Sequence, residues 1–470
     1  MGLSSQEGAD VELAGRRVLV VGLARTGTAL AKFLLEKKAS VTVTDQKGRE
    51  ELGDMAKGLE AQGCVTRFGC HAREDFLASE LIVISPGVPF YLPQVKEAIQ
   101  AGVEVISEVE LASRFLRCPI LAITGTNGKT TTVSLIGEML REGGIDAFVG
   151  GNIGRPLIEC AYETGTHRRP NPRFAVVELS SFQLEGITQF RPWVAVVLNL
   201  TEDHLDRYAS MDEYIHAKVR IFENQTNDDF AVLPVHAPWA DRIPQGTASR
   251  RIRFSIGGCP EADICWQDGF IRFVWHETEE IYPTSRVVLP GTHNLENMMA
   301  ALVVARLSGV TPSILQQVIE RFPGLEHRLE MVCEADGVRY YNDSKGTTVA
   351  SVIKALEAFS QPVLLIAGGK DKGGDFSQLG GYITGRVKRL FLLGQARDRM
   401  AKELAGTTEI EKVKDLKEAV RRAREHAAPG DVVLLSPACS SFDMFHDYED
   451  RGRQFKGIIR EMIQRKGYIQ

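Results

Sequence analysis

Residues 119–132 read PILAITGTNGKTTT, an apolar strand-length run followed by a turn with two glycines that ends in a lysine and three consecutive threonines. The common phosphate loop carries a glycine five residues before its Gly-Lys-Thr. Here that place is Ile123, so the cradle is the shorter Gly125-x-x-Gly128-Lys129-Thr130. A glycine turn between this strand and the helical run Val133-Ser-Leu-Ile-Gly-Glu-Met-Leu140 aims backbone N–H groups and a positive helix end at anionic oxygens. Lys129 adds a cation and Thr130 a hydroxyl for Mg²⁺. The bland alternative, a glycine turn with an exposed lysine, leaves this strand-turn-helix context without a purpose.

Two more strand ends in the same region offer groups that a magnesium-nucleotide site uses. Glu178 closes Phe174-Ala-Val-Val-Glu178, and Asn199-Leu-Thr-Glu-Asp-His204 follows Val194-Ala-Val-Val-Leu198. Ligands collect at the carboxyl ends of strands in open parallel sheets, so Lys129, Glu178 and His204 are expected to converge. Taken singly, Glu178 reads as a solvated carboxylate and His204 as a loop histidine. Lys218 shares a helical stripe with Met211, Tyr214, Ile215 and Phe222. Spacing alone favours a lysine that snorkels to water; the alternative is a modified or substrate-facing lysine.

The 470 residues are too many for one ordinary core. With 44% hydrophobic and 25% charged residues and a net charge of -5, the composition is that of a globular protein without a basic footprint for nucleic acid. Small-molecule substrates, no nucleic acid and no membrane insertion are therefore expected. The N-terminal MGLSSQEGAD lacks the layout of a secretory signal, and Gln6 breaks a myristoylation pattern, so a cytoplasmic protein is expected. The eight cysteines form no CxxC pair and no zinc-like set.

The chain reads as three segments, 1–117, 118–323 and 324–470. The first opens on Arg17-Val-Leu-Val-Val21, the turn Gly22-Leu-Ala-Arg-Thr-Gly27 and a second strand ending on Asp45, a βαβ unit. Ala24 stands where a dinucleotide fingerprint has its second glycine, so this turn alone gives a weak case for a nicotinamide-dependent dehydrogenase. From about 228 to 290 short alternating runs suggest an antiparallel insertion, and beyond 324 βα alternation returns. The expected fold is α/β in three domains: an N-terminal Rossmann-like parallel sheet, a central P-loop ATPase-like parallel sheet with an antiparallel insertion, and a C-terminal Rossmann-like α/β domain. In the third segment Asp343-Ser-Lys345-Gly-Thr347, Gly368-Gly-Lys-Asp-Lys372 and Ser436-Pro-Ala-Cys-Ser-Ser441-Phe442 each follow an apolar run. Lysines and hydroxyls converging there would suit a small dicarboxylate.

Together GTNGKTT, ELSSFQLE, NLTEDHLDRY, GTHNLEN, GLEHRLE, NDSKGT and LSPACSSFDMF resemble the Mur ligases, ATP-dependent amide ligases, over all three segments. GLARTGTA at the first turn, SPGVP at 85–89 and the closing LSPACSSFDMF are most similar to members that add D-glutamate to UDP-N-acetylmuramoyl-L-alanine in peptidoglycan precursor synthesis. The resemblance implies ATP held by Gly125, Thr126, Asn127, Gly128, Lys129, Thr130, Thr131, Asn294, Arg328, Asp343 and Lys345. It implies the UDP-sugar at Arg25, Thr26, Asp45, Gln46, Ser85 and Asn152, and D-glutamate at Thr347, Lys372, Ser441 and Phe442. Gln46-Lys47 departs from the threonine-arginine that follows the acid in some members. Two Mg²⁺ ions are implied, on Thr130, Glu178, His204 and a CO₂-derived carbamate of Lys218, with Lys129, His204 and Lys218 catalytic. A monomer that closes around its substrates is expected. A simple P-loop kinase or NTPase would explain the opening stretch but leave the third-segment loops unused.

Overall fold

The computed structural model describes residues 12–202, 207–275, 278–289, 291–371 and 373–464. Their strands form three sheets, and the chain packs as two compact units: 1–286 with 292–320, and 287–291 with 321–470.

The first sheet holds β1 (Arg17–Val21), β2 (Ser40–Asp45), β3 (Val65–Phe68), β4 (Leu81–Ile84) and β5 (Glu104–Ser107), all parallel, in the order β3-β2-β1-β4-β5. Its order reverses at β1, which opens a crevice outside the Gly22 turn. The second sheet holds β6 (Ile120–Thr124), β7 (Ala147–Gly151), β8 (Phe174–Glu178), β9 (Val194–Val197), β10 (Phe230–Pro234), β11 (Arg250–Ile256), β12 (Ile264–Gln267), β13 (Phe270–Trp275) and β14 (Thr278–Pro283). Their order is β14-β13-β12-β11-β10-β9-β6-β8-β7. Strands β6, β8 and β9 are buried along their whole length, which is why they read as unbroken apolar runs.

The antiparallel region is smaller than its sequence suggests. β10 and β11 continue the sheet in parallel, and only β12, β13 and β14 pair antiparallel, on the same sheet's edge. Alternation reports that one face is covered and carries no information about strand direction. The third sheet, in the second unit, holds β15 (Glu330–Ala335), β16 (Val338–Asn342), β17 (Val363–Gly368), β18 (Val387–Leu393), β19 (Glu409–Lys412) and β20 (Val432–Leu435). Its order is β15-β16-β20-β17-β18-β19, parallel except for the β15–β16 hairpin.

The first two sheets form one unit because they share an apolar core that runs from Leu13 to Ile243 and because two buried carboxylates join them. Both lie on the helix Glu108–Ser113, every residue of which is buried. Glu110 accepts hydrogen bonds from the backbone N–H groups of Thr188, Gln189 and Phe190 at 2.9, 3.0 and 2.8 Å, and from Arg114 Nε at 2.9 Å. Glu108 Oε1 accepts from Ile158 N at 2.7 Å, at the start of the helix Leu157–Gly165. Burial pushes the Glu108 carboxyl from its ordinary 4.5 up to about 7, against the pull of these donors.

Truncating Glu110 leaves three peptide donors and a guanidinium without their acceptor. Glu110→Ala should cost the first unit ~3 kcal/mol in urea unfolding, and Glu110→Gln less. For Glu108 the folded state holds the proton more tightly than the unfolded chain, so stability from this group falls as pH rises from about 4.5 to about 7. Glu108→Gln should remove that slope; an unchanged slope in denaturation between those pH values would contradict the assignment.

Candidate nucleotide site

The phosphate loop is held from both sides before any ligand arrives. Gly128, which caps the helix Lys129–Glu142, sits at φ +87°, and a Cβ there would meet Asn297 Oδ1 at 2.1 Å. Only glycine fits, because the helix Thr292–Leu307 presents Asn297 against the loop. On the opposite side Asn199 clamps it: Thr126 N donates to the Asn199 carbonyl at 2.8 Å, and Asn127 N donates to Asn199 Oδ1 at 2.9 Å. Thr126 Oγ1 accepts from Thr201 N at 3.0 Å and shares a 3.1 Å hydrogen bond with the Tyr214 hydroxyl. Asn199 and Asn297 were not singled out by sequence as site residues. Both stand inside motifs that were, NLTEDHLDRY and GTHNLEN.

Charge is gathered around this cradle. Lys129 Nζ donates to the carbonyls of Gly125 and Thr126, 2.8 Å each, so its ammonium lies across the loop. Lys218 is 2% exposed, and its Nζ donates to the same Gly125 carbonyl at 2.9 Å and to Thr124 Oγ1 at 3.2 Å. The snorkelling reading of Lys218 is therefore corrected: the helix Met211–Val219 turns it inward, toward the end of β6. Its ammonium also lies 5.0 Å from the centre of the Tyr214 ring, a cation–π contact.

Thr130 Oγ1 donates to Glu178 Oε2 at 2.8 Å, which places a hydroxyl and a carboxylate at adjoining strand and helix ends. Oxygen donors at this spacing, beside a phosphate cradle, fit Mg²⁺ completed by phosphate and water. Asn152 Nδ2 donates to the other carboxylate oxygen at 3.0 Å, so Asn152 orients Glu178. Asn294, on the same helix as Asn297, is buried and accepts from Asn297 Nδ2 at 3.2 Å. His204, expected at this cluster, lies outside the described residues, as does Lys372.

Around the first glycine turn, Gly27 packs so closely that a Cβ would lie 1.9 Å from the Gly22 carbonyl oxygen, and Ser85 Oγ donates to that oxygen at 3.0 Å. Asp45 accepts from Leu23 N at 2.6 Å and from Lys47 N at 2.9 Å, so it ties the turn shut. Arg25 and Gln46 are exposed and Thr26 half-buried at the same sheet edge. In the second unit, Asp343 is buried, accepts from Ser436 Oγ at 2.6 Å and from Leu329 N at 3.2 Å, and is pushed by burial up to about 7. Arg328 lowers that value in part, and Lys345 and Thr347 follow Asp343 on a half-buried loop. Ser441 is buried, whereas Phe442 is 66% exposed.

Three family models match the chain: "Mur ligase MurD-like, N-terminal domain" over residues 16–107, "Mur ligase middle domain" over 123–305, and "Mur ligase, glutamate ligase domain" over 327–439. A curated UDP-N-acetylmuramoylalanine--D-glutamate ligase of Geotalea daltonii is 49% identical over 96% of this chain and 99% of its own length. The enzyme of that name from Geobacter metallireducens is 48% identical with the same coverage. Among solved structures, a pseudomurein peptide ligase type C from Methanothermus fervidus has a TM-score of 0.56 at 17% identity, covering 95% of this chain and all of that one. The MurF ligase of Thermotoga maritima in complex with ADP has a TM-score of 0.57 at 16% identity, over 91% of this chain and 96% of its own. These two show the shared fold. No described helix is long and apolar enough to cross a membrane.

Gly128→Ala adds both a positive-φ penalty and the clash with Asn297, so nucleotide affinity in calorimetry should fall at least about ten-fold. Adding Asn297→Ala relieves the clash but not the backbone strain, so recovery should be partial. Wild-type affinity in the single variant would contradict this geometry.

Proposed function

The chain belongs to the Mur ligase family, and from that premise we propose that it joins D-glutamate to UDP-N-acetylmuramoyl-L-alanine, consuming ATP. The observation that carries this reading is the near-full-length similarity to relatives of that name, together with a phosphate loop set beside Glu178 and Lys218.

The chemistry follows from charge. A carboxylate resists attack by an amine, so the γ-phosphoryl of ATP first moves to the L-alanine carboxylate, breaking the bond to ADP and forming an acyl phosphate. The N–H groups of the loop and the Lys129 ammonium stabilise the transferring group, and Thr130 and Glu178 are the residues that would hold Mg²⁺. When bound, the metal neutralises charge on the phosphate oxygens. The deprotonated amine of D-glutamate then attacks the acyl carbon, and phosphate leaves with the bonding pair.

Site roles follow the same reading. Gly125, Thr126, Asn127, Gly128, Thr131, Asn294, Arg328, Asp343 and Lys345 serve ATP, and Thr347, Lys372, Ser441 and Phe442 hold D-glutamate. Arg25, Thr26, Asp45, Gln46, Ser85 and Asn152 face the UDP-sugar, and His204 serves the acyl-phosphate end. Residues 1–117 serve chiefly the UDP-sugar, 118–323 chiefly ATP and 324–470 chiefly the amino acid, with Asn152, Arg328, Asp343 and Lys345 contributing across these bounds. Lys218 is read as a carbamate: its ammonium gives up one proton, and the resulting amine bonds the carbon of CO₂ and loses a second, which converts a cation into a carboxylate for a second Mg²⁺. Supporting this is the burial of Lys218, whose Nζ lies on the Gly125 carbonyl and the Thr124 hydroxyl at the phosphate loop. A monomer acting in the cytoplasm fits these soluble substrates.

Phosphate release from ATP should require both the UDP-sugar and D-glutamate in a panel of amino acids. Release without D-glutamate would instead favour a simple NTPase, and NAD(P)H binding without an ATP requirement would favour a dehydrogenase. Lys218→Ala should lose about 10²-fold in rate or more and regain part of it with formate or acetate; full activity of the unrescued variant would exclude the carbamate.

A further inference from the structure

The second unit contains a cation that none of the roles above uses. Arg451, on the closing helix Tyr448–Gln464, is 2% exposed. Its Nε donates to Ser344 Oγ at 2.9 Å and one terminal nitrogen donates to the Ser344 carbonyl at 2.9 Å. Both terminal nitrogens reach the Cys439 carbonyl at 3.2 Å, and one lies 3.4 Å from the Ser440 carbonyl. Among the described residues, these hydrogen bonds all end on uncharged oxygens.

Those oxygens belong to the loops after β16 and β20, and the loop after β17 closes on the same point. Lys370 N donates to the Ser440 carbonyl, and Gly368 N to the Pro437 carbonyl, both at 2.9 Å. Ala438 N donates to the Gly346 carbonyl at 2.9 Å. Gly369 stands at φ +139°, and a Cβ there would lie 2.3 Å from the Ser440 carbonyl oxygen and 3.2 Å from the guanidinium. Ser344 Oγ, in turn, donates to the Tyr448 carbonyl at 2.8 Å, which fixes the arginine's own helix to the loop it holds.

Burying a cation whose hydrogen bonds all end on neutral groups is costly even with the carboxylates of Asp343 and Asp443 near enough to attract it, and a purely structural clamp could be built from neutral groups. A guanidinium is planar with five donors in a fixed fork, so it sets the spacing of several carbonyls with a rigidity that a rotatable ammonium lacks. We propose that Arg451 is the positioning residue of the amino-acid site: it fixes the mutual spacing of the Ser344, Gly369 and Ser440 loops, and so of Thr347, Lys370 and Ser441. This rests on the reading of these three loops as the place where D-glutamate is held.

The test is steady-state kinetics of Arg451→Lys with each substrate varied in turn, alongside thermal unfolding. The KM for D-glutamate should rise about ten-fold or more, since small misplacements of binding groups carry large penalties, while the KM for the UDP-sugar stays within about two-fold. Ser344→Ala, which removes one acceptor and leaves the guanidinium in place, should move the same constant in the same direction by less. An unchanged D-glutamate KM in both variants, or equal rises for all substrates in step with lost stability, overturns the positioning role. Ser441→Ala separates the two levels. If it raises the D-glutamate KM while Arg451→Lys does not, only the positioning role fails; if it leaves that KM unchanged, the site reading fails and this proposal with it.

Discussion

The Gly125 carbonyl oxygen receives two lysines, Lys129 at 2.8 Å and Lys218 at 2.9 Å, and the arrangement of the first unit follows from the need to hold that point still. One lysine comes from the loop's own helix and the other from a helix nearly ninety residues later. Lys129 reaches this carbonyl locally, from four residues further on, whereas Lys218 needs the carboxyl end of β6 to lie open beside β9, and the sheet order provides that. Asn199 and Asn297 then pin the loop from either side, so the peptide dipoles are aimed before phosphate arrives. Preorganisation of this kind removes the reorganisation cost from the chemical step.

Much of this was legible in the chain. The fully buried strands β6, β8 and β9 read as apolar runs, and the glycine spacing announced a phosphate loop although Ile123 stands where the common form has glycine. The rule that ligands gather at strand carboxyl ends pointed to Lys129, Glu178 and His204 together; Thr130, next to Lys129, lies 2.8 Å from Glu178, and His204 is outside the described residues. Membership of a ligase family came from motif content across all three segments, and the full-length relatives agree.

Other features lay beyond sequence reading for physical reasons. Spacing placed Lys218 on an apolar stripe but could not say whether the ammonium turned to water or to a carbonyl, because helical periodicity fixes a face and not a partner. Strand direction in β10 and β11 was misjudged because alternation is the same in parallel and antiparallel pairs. Glu108 and Glu110 drew no notice, since Glu-Val-Glu at a helix start looks like ordinary surface charge; only the fold reveals that both are buried. Arg451 was hidden for a similar reason, within a helix rich in charged residues.

The central claim is that the loop delivers phosphate to a carboxylate and not to water or a hydroxyl. Labelling the L-alanine carboxylate of the UDP-sugar with ¹⁸O and analysing the products by mass spectrometry tests it most directly. Transfer through an acyl phosphate predicts that each released phosphate carries one labelled oxygen and the new amide keeps the other. Phosphate released without label would contradict the account.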